Sequence, residues 1–168
     1  MGSVMLRSTC SRRRVLTVVG AGATAALAGC NDGGVGSEPE YEAGSVGSLD
    51  GENRSATEMT AAESLAQQET NDGVTPLEAV TITDHEFVLE SDYRGSTVQG
   101  TVENTSDDRI ELLEVRVRVY DDSGAQLGQF LDSVGDLAGE ASWSFQVVIL
   151  KPPSEITDYD ISVLGTPT

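Results

Sequence analysis

Between Leu113 and Tyr120 apolar and charged residues alternate one for one, with Leu113, Val115, Val117 and Val119 on one parity and Glu114, Arg116 and Arg118 on the other. A β-strand sends successive side chains to opposite faces, so this stretch has one face fit for a core and one fit for water, a separation no helix can make. Trp143, Phe145, Val147 and Ile149 repeat the pattern, and Val98, Gly100 and Val102 form a narrower third stripe. From Ala79 onward such runs are short and separated by Gly, Asp, Asn and Ser, with no helical run of useful length. The candidate strands are Val80–Glu90, Ser96–Asn104, Ile110–Tyr120, Gln126–Ser133, Ala141–Ile149 and Asp158–Leu164. Six or seven strands in about 90 residues predict an all-β fold, a small sandwich whose two inner faces pack about 10 Å apart. Glu86, Glu90, Asp158 and Asp160, near the first and last runs, are expected to discourage pairing at open sheet edges.

The residues between the strands offer few reactive arrangements. Tyr120-Asp121-Asp122-Ser123-Gly124 reads as a hairpin turn, in which Asp side chains bond local amides and Gly124 takes a positive φ. The same oxygens could hold calcium, although that ion wants six to eight ligands and no EF-hand spacing is present. Asn104-Thr105-Ser106 is a glycosylation sequon or, equally, a plain β-turn. Trp143 is expected in the core and Tyr120 at the end of a strand, with its hydroxyl at the rim rather than forming a ligand platform. His85 is the one histidine, and its alternating surroundings predict an exposed strand position. With no second histidine and no cysteine in the folded part, the usual zinc and blue-copper ligand sets cannot be assembled. No catalytic residue, metal ligand or cofactor site is expected.

Charge narrows the partners. The chain has 10 basic and 28 acidic residues, a net charge of −18, and Lys151 is its one lysine. The acids are dispersed rather than gathered in one tail, and dispersed acid with scarce lysine suggests adaptation to high salt, where the Debye length falls to about 3 Å. Nucleic acid needs a basic footprint that is missing here.

The first thirty residues read as an address. Arg12 and Arg13, in Ser11-Arg12-Arg13-Arg14-Val15-Leu16, precede an apolar run from Val15 to Ala28 that is shorter than the roughly 20 residues of a bilayer crossing. The pair resembles a twin-arginine export signal, and Leu27-Ala28-Gly29-Cys30 resembles a lipobox, so residues 1–29 are expected to be removed and Cys30 to carry lipid. Removal leaves six basic residues against 28 acidic ones, a charge of −22. Residues 30–75 are rich in Gly, Ser, Glu, Asp, Ala and Thr and are expected to form a disordered acidic linker ahead of a domain over 76–168. Met59, Ala62, Leu65 and Ala66 also admit a short amphipathic helix within Thr57–Glu69, the less favoured alternative.

With the strands placed, the stretch from about Thr97 to Leu164 resembles the FxLYD domain. Its name-giving motif corresponds to Val117-Arg118-Val119-Tyr120-Asp121, which keeps the Tyr-Asp pair and replaces Phe and Leu by Val117 and Val119. Gly100–Ser106 and Leu137–Glu140, followed by Trp143-Ser144-Phe145, match the flanking strand, loop and aromatic strand. The resemblance implies a small immunoglobulin-like β-sandwich in a lipoprotein of halophilic archaeal type, and it supplies no catalytic residues. The expected function is a non-enzymatic, lipid-anchored binding or spacer module on the extracellular face of the cell membrane, with an extracellular protein partner. The alternatives are a solute-binding or accessory subunit of a transport or surface-layer complex, and a calcium-dependent adhesion module.

Overall fold

The computed structural model describes residues 38–47, 51–66 and 69–166. The export signal at Arg12 and Arg13, the lipobox Leu27–Gly29 and Cys30 lie outside these residues. Two antiparallel sheets stack face to face. The first runs β1 (Glu42–Ser45), β7 (Asp158–Gly165), β4 (Ile110–Tyr120), β5 (Gln126–Leu137), and the second runs β2 (Val80–Leu89), β3 (Ser96–Asn104), β6 (Ser142–Val148). This is the expected β-sandwich, with the six expected strands present.

The alternation sets which faces meet. Leu113, Val115, Val117 and Val119 of β4 are fully buried and pack with Val98 and Val102 of β3, Phe145 and Val147 of β6, and Ile161 of β7. Trp143 is half-buried against the same cluster, its ring centroid 6.0 Å from that of Phe145. β5 runs four residues beyond the expected Ser133, because Val134 pairs with Leu113 and Leu137 with Ile110, and the register carries the strand past Gly135.

Three expectations are corrected. First, the described part of residues 30–75 is structured: β1 pairs with β7 in the register Glu42↔Ile161 to Ser45↔Asp158, α1 spans Ala56–Leu65, and Thr75 bridges Gly165. Composition argued for a linker because the segment buries little apolar surface of its own; it is held by backbone pairing and side-chain caps supplied by the sandwich. The helix starts at a capping box, in which Ser55 Oγ accepts from the Glu58 amide and the Glu58 carboxylate accepts from the Ser55 amide. Second, Asp158 and Asp160 guard no edge, since β7 lies between β1 and β4. Third, the charged face of β4 is not wet: Glu114 is only 2% exposed.

Candidate functional site

The described residues between 38 and 76, here called the strap, meet the sandwich at three junctions. At the first junction Gly44 of β1 lies against the ring of Tyr159, so close that a Cβ there would stand 2.1 Å from the ring. The Tyr159 hydroxyl is hydrogen-bonded to His85 Nδ1 at 2.7 Å, and His85 Nε2 stands 3.8 Å from the Glu42 carboxylate. His85 is therefore not the exposed strand residue expected. It faces across the sandwich, where the tyrosine of the opposite sheet reaches it. Burial, aided by the Glu86 charge, pushes the Tyr159 hydroxyl up to about 12, so the phenol holds its proton through the neutral range.

The second junction covers the outer face of β4. Glu114 accepts from Arg116 Nε at 2.5 Å and from the Asn71 amide at 3.0 Å, while Arg116 Nη2 donates to the Asn71 carbonyl at 3.2 Å. A buried carboxylate is tolerated there because its cation and a backbone donor are both in place. Two residues on, Arg118 donates to both Asp160 oxygens, the Tyr120 hydroxyl donates to the same carboxylate at 3.0 Å, and the guanidinium carbon lies 3.6 Å over the Tyr41 ring. Arg118 is raised above the usual guanidinium range, chiefly by its hydrogen bond to Asp160.

At the third junction Arg54, just before the capping box, donates to four carbonyls: Tyr93 at 3.0 Å, Ile149 at 2.9 Å, Ser96 at 3.4 Å, and Arg94. Burial lowers its pKa, since no carboxylate is hydrogen-bonded to it and the Glu58 charge opposes the shift only in part. The neighbouring Ser96 hydroxyl is buried without a hydrogen-bond partner.

The family-motif residues are placed by the fold alone. Val117 and Val119 are core, Tyr120 and Asp160 close the ion-paired patch, and Asp121 Oδ1 accepts from the Ser123 amide, the Ser123 hydroxyl and the Ala125 amide. Those bonds hold the Asp121 carboxyl below the usual range, and Gly124 takes φ +79. Asn104 is fully buried: its Nδ2 donates to the Asp108 carbonyl at 2.8 Å and the Ala138 carbonyl at 3.1 Å, and its Oδ1 accepts from Ser106. In the folded chain the Asn104 amide thus ties the end of β3 to the Asp108 and Ala138 carbonyls. Among the described residues no three His, Cys, Asp or Glu side chains converge to hold a metal, and no helix is long and apolar enough to cross a membrane.

Between the strap and β2 a cleft of about 400 Å³ opens, with Leu77, Ile82, Ile161 and Val163 among its walls and the carboxylates of Glu40 and Glu42 beside them. Its volume falls within the range of small-ligand or single-side-chain sites. Sequence reasoning missed it, because one side of it, Glu40 to Glu42, comes from the segment read as linker. The alternation of Val80 and Ile82 was the only available signal.

No protein-family model matches the chain. An uncharacterised protein of Methanocaldococcus jannaschii is 28% identical over 86 residues, a match covering 50% of this chain and 63% of that protein, so the chain spans less than two thirds of its relative. A crystal structure of a DUF1425 family member from Shewanella sp. pv-4 aligns at 15% identity with a TM-score of 0.39, covering 58% of this chain and 93% of that one.

Proposed function

We propose that this chain is a lipid-anchored, non-enzymatic binding module of FxLYD type, exported by the twin-arginine route and displayed on the outer face of a cell membrane through Cys30. The address motifs support the location. The β-sandwich agrees with what the family resemblance implies, and the acid-rich, lysine-poor surface suits high salt. Binding is favoured over a pure spacer role by one observation, the cleft between strap and β2. Its lining, Leu77, Ile82, Ile161 and Val163 together with the Glu40 and Glu42 carboxylates, fits an aliphatic side chain that ends in a cation, presented by an extracellular protein.

The test is proximity crosslinking in intact cells, comparing wild type with Cys30→Ala and Ile82→Asp. A reproducible membrane or cell-wall neighbour that is lost in both variants is the expected result. A neighbour lost only with the anchor would move the contact away from the cleft, and capture of abundant bystanders alone would sink the binding reading.

A further inference from the structure

The strap and the sandwich carry charge of the same sign. Residues 38–76 hold nine acidic residues and one basic one, Arg54, while residues 77–168 hold 18 acidic and five basic. Yet the attachments between them are mostly not ion pairs. Arg54 donates to neutral carbonyls, β1 and Thr75 pair through backbone, and Asn71 meets Glu114 with its amide. Among the described residues the one carboxylate-to-cation contact across the junction is Glu42 to His85, at 3.8 Å and charged only when the histidine is protonated. Hydrogen bonds of this kind gain little from low salt, whereas repulsion between two acidic bodies grows as the Debye length rises from about 3 Å at 1 M to about 30 Å at 0.01 M.

The central core is built almost wholly without the strap, whose buried Ala62 and Val74 lie outside it. Every buried residue of the central cluster belongs to the sandwich, and Val46 is the strap's one partly buried contribution to it. We propose that residues 38–76 are a salt-gated strap, docked on the sandwich in concentrated salt and released in dilute salt. The cleft walled by Glu40, Tyr41, Glu42 and Pro76 exists only in the docked state. Release also frees chain that docking holds against the sandwich, so one ionic variable sets both the reach of the domain and the presence of its cleft. This holds whatever the cleft binds and whether or not Cys30 is lipidated.

The experiment is amide hydrogen exchange followed by mass spectrometry on the full chain, stepped from about 2 M to about 0.05 M NaCl. Protection in Glu42–Ser45 and Ala56–Leu65 is expected to fall at least about tenfold at the low end, while Ser96–Asn104 and Ile110–Tyr120 stay protected. Neutralising three exposed strap acids, Glu52→Gln, Glu63→Gln and Glu69→Gln together, is expected to move the transition to lower salt, and Arg54→Gln to higher salt. Loss of protection in all four segments at one salt concentration would overturn the proposal, as would a strap still protected at the lowest salt. A transition unmoved by the triple variant would also overturn it, by attributing the salt effect to strengthened apolar burial instead of screened repulsion.

Discussion

The outer faces of the two sheets are built from strands of the same alternating kind, yet they meet different fates. On the four-stranded sheet, Glu114, Leu131, Ser162 and Leu164 are each no more than 4% exposed. The strap contributes to this cover, with Asn71 bonded to Glu114 and Arg116. On the three-stranded sheet, Thr81, Thr83, Ser142 and Ser144 face water. Further along that face, side chains bond one another in a ladder, with Gln99 Nε2 donating to Glu90 at 2.7 Å, Gln146 Nε2 to the same oxygen at 3.2 Å, and Arg94 to Gln146 Oε1 at 3.0 Å. A polar outer face is therefore compatible with burial when each charge has a partner and a covering segment supplies a backbone donor. The same kind of face stays wet at Thr81, Thr83, Ser142 and Ser144, although Thr97 and Val148 at its other end are buried.

The comparison can be broken most strongly at Glu114. Glu114→Ala should cost about 3–5 kcal/mol in chemical denaturation, because it strands the Arg116 guanidinium in a buried site and leaves the Asn71 amide unbonded. A loss below about 1 kcal/mol would mean that the strap does not shield the pair.

An intermediate effect tests the junction between the faces. The Tyr159 hydroxyl ionises near 10.0 when unfolded and about 12 when folded. Between those values the unfolded chain binds fewer protons, so stability is full below pH 10 and declines as pH rises toward 12. The decline should be about 2 kcal/mol, read as a falling denaturant midpoint. Tyr159→Phe should flatten that alkaline limb while lowering stability at neutral pH through the lost His85 bond. An unchanged alkaline limb in the variant would show that Tyr159 is not the group responsible.

The smallest effect sharpens the contrast. Gln99→Ala on the wet sheet removes a rung whose partners can turn to water, and should cost no more than about 0.5–1 kcal/mol. A cost approaching that of Glu114→Ala would erase the distinction between the two faces.

Legibility followed the same division. The strands could be read because Val117 and Val119, or Phe145 and Val147, announce their face by parity alone, and the turn at Asp121 to Gly124 because its chemistry is local. The strap could not be read as cover. Gly44 and Asn71 look like linker residues until Tyr159 and Glu114 are brought beside them. The aspartates at 158 and 160 looked like edge guards because nothing in the sequence says that a strand from before residue 50 will pair with the last one. The burial of His85 is not legible locally, because its hydrogen-bond partner lies 74 positions away on the opposite sheet.

The sequence by itself determined the two-layer β architecture, which side of each strand faces the core, and a net charge of −18, since periodicity and composition act over a few residues or over the whole chain. Only the tertiary structure decided that an acidic, glycine-rich segment becomes a strand, a helix and a cover, that His85 meets Tyr159, and that a cleft opens between that segment and β2. Those outcomes depend on backbone donors, carbonyls and ring faces contributed by residues far away in the chain, which no local pattern encodes.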